Sequence, residues 1–199
     1  MEIYSLENKF IRYIFVSTKN RYNMKNIIAF AGSNSKNSMN KQLVTYASSL
    51  VDNANVTILD LNDYELPLYG IDLEMEQGIP QAAHDFANAI KASDGIIISL
   101  AEHNGSYTTV FKNIFDWTSR IDSKNFFGKP MLLMAASPGG RGGQSVLEAA
   151  SARFPYHDAN IVGQFSLPFF GNNFKDGAIV DEALNAALKE EVEQFKDSI

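Results

Sequence analysis

"IIAFAGSNSKNSMN", residues 27–40, passes from five apolar residues into glycine, serine and asparagine within three positions. A continuous apolar run this short reads as a fully buried strand rather than a helix. Gly32 then allows a sharp exit, and Ser33, Ser35 and Ser38 bring hydroxyls to the start of the next helical stretch, where backbone N–H groups lack partners. Strand, polar loop and helix N-terminus in this order make a site for an anion such as a phosphate, with Ser38 or Asn40 able to cap the helix. The same residues also make an ordinary cap and turn, so the loop alone leaves both readings open. Neither GxxxxGK[ST] nor GxGxxG is present, which disfavours the triphosphate and dinucleotide loops.

Outward from this point the pattern repeats. Strand-like runs occur at 27–31, 55–60, 95–100, 131–136 and 160–166, and helical spacing at 39–52, 80–93, 106–120, 142–153 and 180–196. Strict alternation of apolar strands and helices predicts a parallel sheet covered on both faces. In such sheets ligands bind beyond the carboxyl ends of the strands, where strand order reverses. The loops after the first, third and fourth runs therefore carry the expected function: 32–40, "AEHNGSYTT" at 101–109 and "SPGGRGG" at 137–143. Residues 64–80, "YELPLYGIDLEMEQGIP", read as a long irregular loop.

The chain's 199 residues suffice for one α/β domain with a sizeable core. A net charge of −6, from 17 Lys+Arg and 23 Asp+Glu, offers no overall positive field for nucleic acid or an anionic membrane. Cysteine is absent, which excludes disulfides, thiolate nucleophiles and Cys-ligated zinc or iron–sulfur centres and suits a reducing compartment. No apolar run reaches membrane-span length, so the expected location is the cytoplasm. The repeating pattern starts only after Met24; residues 1–23 read as an N-terminal extension without chemistry, and 24–199 as the domain.

In the second loop, Asn104-Gly105 predicts a tight turn whose backbone can face a planar ring, and Val110, Ile114 and Trp117 share one helix face. His103 has no second histidine or carboxylate at ligand spacing, so no metal site is expected. In the third loop the glycines leave the backbone bare around Arg141, open either to a ligand or to solvent. A branched side chain at Gly140 is expected to project into the space a bound ring needs.

Together these segments resemble a known family. "GSNSKNSMN" is similar to the G-S-x-R-x-x-S-x-N phosphate loop of the NADPH-dependent FMN reductases, and "EHNGSYTTVFKNIFDWTSR" to that family's P-E-Y-N-G-S, L-K-N and D-W-x-S segment. "SPGGRGG" resembles its Gly-rich turn. The resemblance covers about 25–197 and implies a flavodoxin-like, three-layer α/β/α fold with a five-stranded parallel sheet in the order 2-1-3-4-5.

It further implies that Ser33, Ser35, Ser38, Met39 and Asn40 surround the FMN phosphate. Glu102, His103, Asn104, Gly105 and Ser106 would lie along the isoalloxazine, with Ser137, Pro138, Gly139 and Gly140 on its other side. Three positions depart from the family pattern: Ser35 replaces arginine, Ala101 proline and His103 tyrosine, with Lys36 the cation adjacent to the missing arginine. The implied function is hydride transfer from NADPH or NADH through bound FMN to a small acceptor such as a flavin or quinone. No catalytic side chain is expected, because the cofactor carries the chemistry. A homodimer or homotetramer is implied, with 64–80 at the contact. A flavodoxin-type electron carrier and a non-redox binding module on the same fold are the alternatives.

Overall fold

The computed structural model describes residues 24–199, so the expectations for residues 1–23 lie outside the described residues. Five strands form the central sheet: β1 (Lys25–Gly32), β2 (Ala54–Leu59), β3 (Gly95–Leu100), β4 (Pro130–Ala136) and β5 (Asn160–Leu167). All neighbours pair in parallel in the order β2-β1-β3-β4-β5, the flavodoxin-like order expected. The chain moves outward from β1 to β2 and returns to β3, so strand order reverses between β1 and β3.

The three inner strands are almost wholly apolar because both their faces are covered, with Lys25 and Asn26 at the open start of β1 and Ser99 in β3 the polar exceptions. Alternation divides their side chains between two cores. Ile27, Ala29, Ile97, Leu132 and Met134 pack under α1 (Met39–Ser49) and the last helix, while Ile28, Phe30, Ile96, Ile98 and Leu133 pack on the other face. Helices α2 (Ile71–Gln77), α3 (Gln81–Ala92), α4 (Thr109–Ile121) and α5 (Gln144–Arg153) come next in the chain, and α6 (Glu182–Asp197) closes it. Phe86 and Ile90 of α3, Phe111, Ile114 and Phe115 of α4, and Val146 and Leu147 of α5 fill the second core. Leu43 and Val44 of α1 with Leu188, Val192 and Phe195 of α6 fill the first. Trp117 is fully buried, as its helix spacing predicts.

The structure corrects three boundaries and one loop. Helix α4 starts at Thr109 rather than 106, because Glu102–His103 and Ser106–Tyr107 pair as a small hairpin and Thr108 caps the helix. Helix α5 starts at Gln144 rather than 142, because Gly142 and Gly143 adopt φ of 61° and 81°. Helix α1 ends at Ser49 rather than 52. The segment 64–80 is not wholly irregular: it contains α2, none of whose residues is buried, so no apolar periodicity announced it. Asp72 and Glu74 in its first turn suit the positive end of the helix.

One buried polar group makes stability sensitive to pH. His157 is 8% exposed; its Nδ1 meets the Ser123 carbonyl at 2.9 Å, and its Nε2 has no partner among the described residues. Burial, then the charges of Arg153 and Lys124, hold its pKa below the usual 6.5. The unfolded chain then takes up a proton before the folded one does, so this contribution is complete above 6.5 and is lost as pH falls toward the lower folded value. The expected result is a melting temperature that declines as pH falls below 6.5 in the parent and less steeply in His157→Gln. The lowered carboxyls of Asp60 and Glu74 act only in a more acidic range. Equal slopes for the two proteins across that window would refute the assignment.

Candidate functional site

Three loops meet at the carboxyl edge of β1, β3 and β4, and buried polar side chains join them. After β1 the chain turns through residues 33–38, where the Ser35 N–H bonds the Ser33 hydroxyl oxygen at 3.2 Å and the Ser38 N–H bonds the Ser35 carbonyl at 3.2 Å. Ser38 caps α1, its oxygen accepting the Lys41 N–H at 3.1 Å. As acceptors in these bonds, Ser33 and Ser38 keep their hydroxyl protons free to donate outward. The N–H groups of Met39 and Asn40 stand in the first turn, where the helix has no partner for them. That turn holds no acidic residue, and Lys36 is exposed beside it. The fold thus offers hydroxyls, backbone donors and a helix N-terminus to one anion.

Asn40 lies in this turn, but its side chain faces the interior. It is 2% exposed; its amide donates to the Ala136 carbonyl at 3.1 Å, and its oxygen accepts the Ala136 N–H at 2.8 Å and the Ser99 hydroxyl at 2.7 Å. The expected phosphate contact from Asn40 is therefore limited to its backbone. Its amide instead ties the loop after β1 to β3 and to the end of β4. Thr108, which sequence reasoning passed over, makes a second tie. Its hydroxyl donates to the Gly32 carbonyl at 2.8 Å and accepts the Phe111 N–H at 3.2 Å. A threonine just before an apolar helix is a capping signal that would have found it.

The second loop is the hairpin, turning at Asn104 and Gly105 with φ of 52° and 74°. A turn with both central residues left-handed is what Asn-Gly favours. His103, Asn104, Gly105 and Ser106 are exposed on it, their backbone open to a planar ligand. The Glu102 carboxylate accepts the Val146 N–H at 3.1 Å in the first turn of α5. It fastens the second loop to the helix that follows the third. Tyr107 packs parallel to Phe154 at 6.1 Å; burial pushes its pKa up to about 12 and keeps it neutral.

The third loop, Ser137 to Gly143, is bonded to the segment after β5. The Phe169 N–H donates to the Gly139 carbonyl and the Phe170 N–H to the Ser137 carbonyl, each at 3.1 Å, and the Ser166 hydroxyl donates to the Gly142 carbonyl at 3.0 Å. Pro138, Gly139 and Gly140 are exposed. A Cβ at Gly139 would meet open space, whereas one at Gly140 would come within 2.7 Å of the Phe169 ring. This corrects the expectation for Gly140, whose branched substituent would strike Phe169 before any bound ring. Arg141 is exposed and donates to the Ser145 hydroxyl at 3.1 Å.

On the opposite flank, the Asn113 oxygen accepts the Tyr69 N–H at 2.8 Å, and the Trp117 indole donates to the Pro67 carbonyl at 2.8 Å. Arg120 pairs with Glu74 at 2.8 Å, and hydrogen bonds from Arg120 and Tyr69 hold the Glu74 carboxyl below its ordinary range. These residues of α4 fasten segment 66–74 while Leu68, Ile71 and Met75 stay 73%, 51% and 79% exposed. A cleft of about 340 Å³ beside Asn34 is lined by Leu61, Leu66, Val110 and Ile114 together with the polar Asn62, Tyr64, Glu65 and Asn113. Its single charged lining residue, Glu65, makes it unsuited to an anion. No helix among the described residues is long and apolar enough to cross a membrane.

The sequence profile of the NADPH-dependent FMN reductases matches residues 25–172, spanning all five strands and the three loops. The chain belongs to that family. Within this family's reach, a quinone reductase of Escherichia coli is 36% identical over 93 residues, covering 47% of this chain and 45% of the relative. An NAD(P)H-dependent FMN reductase of Pseudomonas aeruginosa is 31% identical over 132 residues, covering 66% of this chain and 65% of the relative. The chain thus spans about half the length of the first relative. Among solved structures, the flavoenzyme NAD(P)H:(acceptor) oxidoreductase FerB of Paracoccus denitrificans superposes with a TM-score of 0.71 at 24% identity, covering 88% of this chain and 97% of that one. This last likeness concerns the fold.

Proposed function

We propose that the protein is an FMN-dependent oxidoreductase that takes hydride from NADPH or NADH and passes it to a small acceptor of the quinone or flavin type. The observation that carries the reading is the meeting of three ligand-ready loops where β1 and β3 part, in a chain of this family. FMN, when bound, supplies a ring that accepts hydride from one partner and gives it to the next. The chain's own residues bind and orient. The hydroxyls of Ser33, Ser35 and Ser38 and the N–H groups of Met39 and Asn40 hold the phosphate, with Lys36 in place of the family's arginine. Backbone of the hairpin at His103 to Ser106 and of the turn at Ser137 to Gly140 brackets the ring from two sides, Pro138 and Gly139 presenting an unobstructed surface to it. Glu102 acts through the backbone it holds, against α5.

The acceptor and the nicotinamide use the same open face in turn, and the proton that must accompany hydride to a quinone comes from solvent at that face. Two copies pair through Leu68, Ile71 and Met75, an exposed apolar patch of the kind that marks a protein contact. The setting is the cytoplasm, in keeping with a chain that has no cysteine.

The test is anaerobic addition of NADPH, then NADH, to protein reconstituted with FMN. The expected result is full loss of the visible flavin band in one two-electron step, and its return on adding a quinone. Protein that takes up no FMN, or holds FMN that neither nucleotide reduces, refutes the reading; slow reduction that needs a partner reductase would indicate an electron carrier.

A further inference from the structure

Phe169 sits beside the third loop in a strained backbone conformation whose own ring gains nothing from the core. Its φ of 46° and ψ of 49° place a bulky aromatic residue in the left-handed region, a genuine outlier for such a side chain. The residue is also 52% exposed. The next residue, Phe170, does the structural work: it is buried in the first core and stacks on Phe174 at 4.8 Å and 15°. Phe169 therefore carries backbone strain and apolar exposure together, and nothing in the core is gained from its ring. Other exposed aromatics differ, for Tyr156 at least lies under the Arg153 guanidinium at 5.6 Å.

The backbone that carries the ring is held in place. The Phe169 N–H donates to the Gly139 carbonyl at 3.1 Å, the Asn172 N–H to the Phe169 carbonyl at 2.8 Å, and the Asn173 amide to the Pro168 carbonyl at 2.9 Å. The ring lies against Gly140, where a Cβ would come within 2.7 Å of its Cζ, so glycine there is what lets it approach. Next along the turn, Gly139 faces open space. A half-exposed aromatic residue on a fixed backbone thus stands at the rim of the turn that brackets the ring in the proposed function. Strain kept at a functional rim points to a ligand contact.

We propose that Phe169 is a specificity-determining residue: it forms the aromatic wall on which a flat acceptor ring stacks, so the protein favours planar aromatic acceptors over compact inorganic ones. This rests on the functional reading above and adds the acceptor's shape to it. Offset or edge-on aromatic pairs contribute beyond area burial, so removing the ring should be felt by a quinone and not by an ion that cannot stack.

The experiment compares the FMN-loaded parent with Phe169→Ala and Phe169→Leu, using a naphthoquinone and ferricyanide as acceptors. Because the ring is half in solvent, both variants should keep the parent's melting behaviour and FMN content. The expected result for Phe169→Ala is a naphthoquinone KM raised about five- to tenfold with kcat little changed, a smaller rise for Phe169→Leu, and unchanged ferricyanide turnover. Calorimetric titration of the oxidised protein with the naphthoquinone should show the same ratio in Kd. Unaltered naphthoquinone KM and Kd, or equal losses with both acceptors, overturn the assignment while FMN reduction in the parent upholds the functional reading. A parent that binds no FMN sinks both.

Discussion

Asn40→Leu should lower the unfolding free energy by about 3 kcal/mol or more, among the largest effects available to one polar position in this fold. The substitution keeps the branched shape and the number of heavy atoms but removes every hydrogen bond the amide makes. The Ala136 N–H and the Ser99 hydroxyl lose their acceptor, and the Ala136 carbonyl loses a donor, all of them in the interior. Each buried group left unpaired costs about 1–3 kcal/mol. These bonds also set where α1 begins relative to the ends of β3 and β4, so FMN binding should fall along with stability. Urea denaturation checks it: a lower midpoint at an unchanged m-value is expected. A shift worth less than about 1 kcal/mol would mean that the interior relaxes and that Asn40 is not the tie described here.

Ser38→Glu should weaken FMN binding by at least about tenfold, through charge rather than through the fold. A carboxylate at the start of α1 would occupy the end of the helix that the phosphate needs, and like charges in one site repel. Ser38→Ala separates the causes. It removes the cap to Lys41 and should cost about 1 kcal/mol of stability, but it introduces no charge and should leave most of the affinity. Fluorescence titration of FMN into the two variants reads the difference. If both bind FMN as the parent does, residues 33–40 do not hold the phosphate.

Much of this molecule was legible before its coordinates, for reasons that are local. Apolar runs such as 95–100 exist because an inner strand meets helices on both faces, and that demand is written in consecutive residues. Ser38 ahead of α1 and Asn104-Gly105 at a two-residue turn are likewise short-range chemistry, a cap and a left-handed pair. The same logic would have exposed Thr108 as a cap. It would also have exposed Asp176-Gly177, with φ of 49° and 83°, as the turn of the small hairpin joining Phe174–Lys175 to Ala178–Ile179.

Other features had no local signature. Helix α2 buries none of its residues and is held from outside, by Arg120 of α4 on Glu74, while Asn113 and Trp117 of α4 fix Tyr69 and Pro67 just ahead of it. Asn40 and Glu102 look in the sequence like members of a ligand loop, yet Asn40 bonds a residue 96 positions away and Glu102 one 44 positions away. Phe169 and Phe170 are chemically identical neighbours, and only the left-handed turn after β5 sends one into the core and the other to the rim.

The alternation of strand and helix, the two-sided core and the three loops are written in consecutive residues, since periodicity, caps and turns act over a few positions. That Asn40 and Glu102 serve as struts within the loops depends on the packed fold. A polar side chain takes whichever partner the fold brings within about 3 Å, and that partner is set by how distant segments pack.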